Sequence, residues 1–270
     1  MPFAHHGDIA IHYEVEGSGP PLLLHHGLTG SGQRWRDEGY VAALCDRFTV
    51  ILPDVRGHGQ SSKPHDPAAY DRFARAGDML AVLAAEGIER AFVWGHSLGG
   101  LVGFTLGRYH PDRVHGLVLT GFNPYPWPPA EAAEVASWVA GLRGGMEAFV
   151  AGYEERHGPL PTAARERWLA NDSAALVACM EAWVAESDGR VGAELPDIPT
   201  PALLLVGSEE PFVAEVEIAA SAMPDATAVV LPGLDHAQTF FRSDLVLPHA
   251  RAFLDDLNCG DRYGGTGHHV

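Results

Sequence analysis

One serine in this chain stands where a nucleophile could be made. Gly95-His96-Ser97-Leu98-Gly99 fits G-x-S-x-G, once in 270 residues. Residues 91–95 (AFVWG) read as a strand running into it, and residues 98–109 as a helix leaving it. A strand-to-helix reversal that tight needs residues without Cβ two places either side of its apex. It also leaves the serine Oγ exposed on a strained backbone. Such a hydroxyl attacks carbonyl carbon when a base takes its proton and N–H donors hold the oxyanion. The chain offers 15 histidines as bases. Metal chemistry finds no comparable pattern. His5-His6 and His268-His269 are adjacent pairs, which diverge on a strand, and no H-E-x-x-H or Cys/His spacing accompanies them. Nucleotide sites are also disfavoured. Gly17-Ser18-Gly19, Gly30-Ser31-Gly32 and Gly57-His58-Gly59 continue into neither G-x-G-x-x-G nor G-K-[ST].

The elements that would position Ser97 alternate along the chain. FAHH and IAIHYEVE flank Gly7-Asp8 as a hairpin. Residues 22–26 are a short, continuously apolar run of the kind buried on both faces of a parallel sheet. Strands are expected next at 48–53, 91–95, 114–121, 198–207 and 226–233. Helices are expected between them at 33–45, 70–86, 98–109 and 213–223, with a closing helix at 245–257. Short links between alternating strands and helices imply a parallel sheet covered on both faces. The rhythm stops at the proline-dense stretch 123–129, and from about 130 to 189 only helical patterns occur. The expected organisation is an α/β core with a mostly parallel sheet (1–122 and 197–258). An inserted helical cap (123–196) and a flexible tail (259–270) complete it. In open α/β sheets ligands bind beyond the carboxyl ends of the strands, and Ser97 follows one such end.

Composition narrows the partners. Hydrophobic residues make up 46% of the chain and charged residues 20%, enough apolar matter for a large core. The net charge of −17 repels phosphate backbones and anionic bilayers, so no nucleic acid and no membrane are expected as partners. Cys45, Cys179 and Cys259 form no disulfide or metal framework and suit a reducing compartment. The first ten residues carry no Lys or Arg and no long apolar run. No stretch approaches the roughly 18–20 apolar residues that span a bilayer. A cytoplasmic protein is expected; the sequence does not set its oligomeric state.

Four motifs in order carry a resemblance. They are His25-His26-Gly27-Leu28, Asp54-Val55-Arg56-Gly57-His58-Gly59-Gln60-Ser61-Ser62, Gly95 to Gly100 (GHSLGG), and Gly233-Leu234-Asp235-His236. With them the chain resembles the α/β-hydrolase superfamily, in its serine esterase/lipase-like branch with a helical cap. The likeness covers nearly everything up to the tail. It implies a catalytic triad with Ser97 as nucleophile and His236, in the loop after the last strand, as general base. The triad acid usually stands in Gly-x-x-Asp; here the segment is Gly207-Ser208-Glu209-Glu210. Glu210 takes the acid's place, with Glu209 as the alternative if the loop shifts by one. Residues 114–130 contain no Asp or Glu, and Asn123 cannot carry the charge. The resemblance also puts the oxyanion hole at the backbone N–H groups of Leu28 and Leu98, and gives His26, His58 and His96 loop-shaping roles. No cofactor and no metal are implied. A serine nucleophile sets the chain apart from the dehalogenase and epoxide-hydrolase branches, which use a carboxylate.

The insertion carries Trp127, Trp138, Trp168 and Trp183 with Phe149 and Met180. Most such residues pack a core, and some should face the substrate; Trp127, Trp138 and Trp183 are the candidates. An aromatic roof suits an uncharged acyl compound of small to medium size, a carboxylic ester or lactone. The same triad also supports C–C bond hydrolysis, perhydrolysis or lyase chemistry, and the same scaffold a non-catalytic ligand-binding protein.

Overall fold

The computed structural model describes residues 2–263, with side chains to residue 258. Eight strands form one sheet: β1 (Phe3–His6), β2 (Ile9–Gly17), β3 (Pro21–His25), β4 (Thr49–Pro53), β5 (Ala91–His96), β6 (Val114–Thr120), β7 (Ala202–Gly207) and β8 (Ala226–Leu231). Their order is β1-β2-β4-β3-β5-β6-β7-β8. The β1–β2 and β2–β4 pairs are antiparallel and all later pairs parallel. The chain leaves β3 for β4 on one side and β5 for β6 on the other. That reversal opens a crevice between the carboxyl ends of β3 and β5, where an α/β sheet places its ligand.

The central strands are mostly apolar because both faces are covered. One face carries Leu23, Ile51, Val93, Leu117 and Leu204. These pack against α3 (Arg72–Ala85), α4 (Leu98–Tyr109) and α10 (Val213–Ala222). The other carries Leu22, Leu24, Val50, Leu52 and Trp94. Against it lie α1 (Gly32–Asp37), α2 (Tyr40–Leu44), α11 (Gln238–Phe241) and α12 (Ser243–Tyr263). Trp35 is fully buried on this second face. Its ring meets Tyr40, Trp94 and Phe240 edge-on, at centroid distances of 4.9, 5.7 and 4.8 Å.

Between β6 and β7 run five helices: α5 (Pro129–Arg143), α6 (Met146–His157), α7 (Thr162–Leu169), α8 (Ser173–Glu186) and α9 (Arg190–Glu194). Their Val139, Phe149, Trp168, Met180 and Trp183 extend the core of the first sheet face without a break. Buried Arg72 of α3 reaches Glu194 with both terminal nitrogens, at 2.8 and 2.7 Å, and Arg75 reaches Glu186 at 3.2 Å. The helical layer is thereby tied to the α/β core away from the crevice.

Two expectations need correction. The single helix expected at 33–45 is two, α1 and α2. Gly39 between them sits at φ +81°, a left-handed turn that ends one helix before the next begins. The tail expected from 259 is helical as far as Tyr263, because α12 continues past Leu257; residues 264–270 lie outside the described residues. Among the described residues no helix is long and apolar enough to cross a membrane.

Trp35→Ala should lower unfolding stability by roughly 3–5 kcal/mol, the usual cost of emptying a buried aromatic site. A urea titration would show this as a lower midpoint at unchanged slope.

Candidate active site

β5 ends at His96 and α4 begins at Leu98, which leaves Ser97 as the whole connection. Its backbone stands at φ +53°, ψ −115°. The Ser97 N–H donates to Thr120 O at 2.9 Å, and Gly100 N–H donates to Ser97 O at 2.7 Å. A Cβ on Gly95 would collide with the carbonyl oxygen of Gly99, so the reversal closes only with glycine there. The sequence motif is in this sense a steric requirement.

His236 follows β8 and stands just before α11. Its Nε2 lies 3.1 Å from Ser97 Oγ and its Nδ1 2.8 Å from Glu210 Oε2. Glu210 is fully buried, and its other oxygen accepts from Gly207 N–H and Thr239 Oγ1, both at 2.9 Å. The Gly207–Glu210 turn folds the longer side chain back on its own backbone, which accommodates the extra methylene relative to Asp. Glu209 is exposed and not part of this group. Asp235 caps the start of α11 instead, accepting from Gln238 N–H at 2.8 Å. The structure thus brings Ser97, His236 and Glu210 together in one hydrogen-bonded row.

Burial alone would push the His236 imidazole down; the bonded Glu210 carboxylate outweighs it, and the pKa lies above the ordinary histidine value. Glu131, in the first turn of α5, adds to this field. Burial pushes its own carboxyl up to about 7, and Asn123 Nδ2 stands 3.4 Å from it. The other histidines here are neutral. Burial drives His26 and His96 down, and His58 to about 3. Nδ1 of His26 donates to Gly27 O at 2.8 Å while its Nε2 accepts from Val55 N–H at 3.1 Å. His96 Nδ1 bonds Thr120 Oγ1 at 3.0 Å. These rings hold the loops around Ser97 in shape.

Leu28 follows β3 and lines the same cavity; Leu98 is the first residue of α4, where helix N–H groups lack intrahelical acceptors. Among the described residues only Thr29 (φ +62°) and Ser97 have positive φ without being glycine. A β-branched residue there is a true outlier, costing about 1–3 kcal/mol, and such strain gathers where a site needs it. Both residues line the cavity, and they are the chain neighbours of Leu28 and Leu98.

That cavity measures about 510 Å³, the size of small-ligand sites. Trp138, Phe149, Tyr153 and Trp168 form its helical wall, and Arg34 of α1 its one arginine. Of the three tryptophans expected to face substrate, Trp138 lines the cavity. Trp127 and Trp183 do not line the cavity; they meet edge to face at 5.0 Å and fill the inside of the helical layer. Trp168 takes the position instead, stacked on Phe149 at 5.7 Å. Sequence reasoning missed Glu131, one residue beyond the stretch searched for an alternative acid. It also missed Arg34, whose neighbours gave no cue to its direction. Among the described residues no group of three or more His, Cys, Asp or Glu side chains is placed to hold a metal.

Against known proteins, residues 20–178 match the family model for the α/β-hydrolase fold, and the chain belongs to that family. It is 28% identical over 265 residues to 2-(acetamidomethylene)succinate hydrolase from Mesorhizobium japonicum, covering 92% of this chain and 93% of that one. Several other curated relatives align over 107 to 123 residues, and the chain spans 30 to 43% of their length. Among solved structures, the enol-lactonase from Burkholderia xenovorans LB400 superposes with a TM-score of 0.81. It is 27% identical and covers 94% of this chain and 100% of its own. A thermophilic esterase from Thermogutta terrifontis superposes with a TM-score of 0.77 at 25% identity, covering 93% and 94%.

The His236 ring should titrate in proton NMR with a midpoint above 6.5. Replacing Glu210 by Gln removes the anion that favours the imidazolium and should move that midpoint down. A midpoint that stays put would mean Glu210 does not set the charge of His236.

Proposed function

We propose that the protein is a serine hydrolase that cleaves a small-to-medium carboxylic ester, lactone or related acyl compound. The observation that carries this reading is the Ser97–His236–Glu210 row, 3.1 and 2.8 Å between its members, at the edge of a 510 Å³ cavity. Membership of a hydrolase family supports it, as do the similar enol-lactonase, esterase and 2-(acetamidomethylene)succinate hydrolase.

Ser97 Oγ attacks the carbonyl carbon as His236 Nε2 takes its proton. Glu210 keeps Nδ1 protonated and balances the imidazolium. The N–H groups of Leu28 and Leu98 hold the oxyanion; removal of one such donor costs about 10²–10³ in rate elsewhere. The alkoxide leaves with the proton from His236, and an acyl-enzyme remains. Water, deprotonated by His236, then attacks the acyl carbon and releases acid and Ser97. One ester and one water give one acid and one alcohol, and no cofactor takes part. The helices α5–α9 act as a cap that keeps bulk water from the acyl-enzyme and supplies the aromatic wall.

The test uses p-nitrophenyl acetate and butyrate with wild type and Ser97→Ala. Wild type should turn over, and Ser97→Ala should fall to background. Glu210→Gln should lose about 10³–10⁴ in kcat, because the base then loses its orienting anion. The rate should rise with pH through a midpoint above 6.5, since only neutral His236 accepts the proton. Wild-type inactivity on both esters, with no labelling of Ser97 by a fluorophosphonate, would remove the reading in favour of a binding role for the scaffold. Turnover of a 1,3-diketone in place of the esters would move it to C–C hydrolysis.

A further inference from the structure

Arg34 stands two residues into α1, directly after the loop that carries Leu28 and Thr29. Its side chain is only 12% exposed, yet it forms part of the cavity wall. The guanidinium carbon lies 4.5 Å from the Phe241 ring centroid and 5.9 Å from that of Phe240. Stacking on a ring fixes the plane of the fork and leaves its donors pointing outward in that plane. Those donors are poorly used. Nε is buried and makes no hydrogen bond, although Glu38 Oε1 stands 3.2 Å away as a misaligned ion-pair partner. Burial pulls the guanidinium below its ordinary pKa, a sign of lost hydration that Glu38 only partly replaces. A buried guanidinium donor left unmet is costly unless something accepts from it.

The acceptor that fits a guanidinium fork is a planar anion held by two parallel hydrogen bonds. We propose that the acyl substrate carries a carboxylate and that Arg34 receives it. This rests on the serine hydrolase reading and replaces the expectation of an uncharged substrate. The acids on the cavity lining do not compete equally. Buried Glu210 is bonded to His236 at 2.8 Å, whereas Glu209 and Asp235 are exposed, and Glu134 is 42% exposed beside His157. Water and salt screen these rim charges, whereas the shielded Arg34 acts at close range in a weaker dielectric. Arg167 of α7 also stands within electrostatic reach of Arg34, but it is paired with Asp37 at 3.1 Å, so Arg34 is the cation offered to the cavity.

Two esters of equal length separate the cases: mono-4-nitrophenyl glutarate, which ends in a carboxylate, and 4-nitrophenyl pentanoate, which ends in a methyl group. The readout is the ratio of their kcat/KM values. Wild type should favour the glutarate ester. In Arg34→Gln the ratio should fall about ten- to a hundredfold, the worth of a hydrogen bond to a charged group, and Arg34→Lys should restore part of it. A wild-type ratio at or below one overturns the proposal without any variant. So does an unchanged ratio in Arg34→Gln with a native near-ultraviolet spectrum. If wild type cleaves neither ester, the hydrolase reading fails by itself. Arg34 is then judged by glutarate binding, followed through tryptophan fluorescence of wild type and Arg34→Gln. Weaker binding in the variant supports the anion site, and equal or absent binding overturns it.

Discussion

Holding Ser97 at φ +53° is the constraint on which the rest of the molecule depends. A serine in that region costs on the order of 1–3 kcal/mol and persists only when its surroundings leave no alternative. The surroundings here are the fold itself. The strand before Ser97 is buried along its whole length between β3 and β6, and the helix after it is buried on nearly every residue. Ser97 N–H is committed to Thr120 of β6, so the apex cannot relax without disturbing the β5–β6 register. Thr120 also binds His96 through its hydroxyl. One residue on the neighbouring strand therefore secures both the strained backbone and the ring beside it.

The second dependence is electrostatic. Glu210 is buried without an arginine or lysine partner, a placement tolerable only because three donors converge on its two oxygens. His236 is one of them, so the carboxylate and the imidazole each offset the other's desolvation. Glu131 stands near enough to favour the imidazolium but is not bonded to the ring. Distance separates the roles: Glu210 fixes the tautomer through a hydrogen bond, and Glu131 biases only the charge.

Much of this was legible from local pattern. The bounds of α4 coincide with the apolar run after the serine motif, and the alternation of strands and helices gave the parallel sheet. Local pattern works there because glycine placement and two-faced burial are decided within a few residues. It failed where direction depends on how elements cross. Trp127, Trp138, Trp168 and Trp183 have the same chemistry, and only the crossing of α5, α7 and α8 decides which face the cavity. Arg34 was invisible for the same reason: a charged residue on a short helix reads as solvent-facing until Phe241, some 200 positions away, is stacked beneath it. Glu210 stood between, since its spacing from Gly207 was readable but the fold-back of its side chain was not.

The helical layer is attached unequally, and that shapes access to the site. Its α8–α9 half is joined to α3 by Arg72–Glu194 and Arg75–Glu186, with both arginines nearly excluded from water. Buried pairs of this kind add little net stability, but breaking one strands a charge and is expensive. They fix where that half sits. The α5–α7 half carries the cavity wall, and its ion pairs with other elements, such as Arg143–Glu181 and Arg167–Asp37, are between partly exposed side chains, which contribute little. The buried ion pairs to the α/β core thus lie in α8–α9, and α5–α7 is held chiefly by the apolar packing of Val139, Phe149 and Trp168. The cavity is therefore built from two differently held parts: Trp138, Phe149, Tyr153 and Trp168 stand on the apolar-packed helices, while Ser97, His236, Glu210 and Arg34 stand on the α/β core.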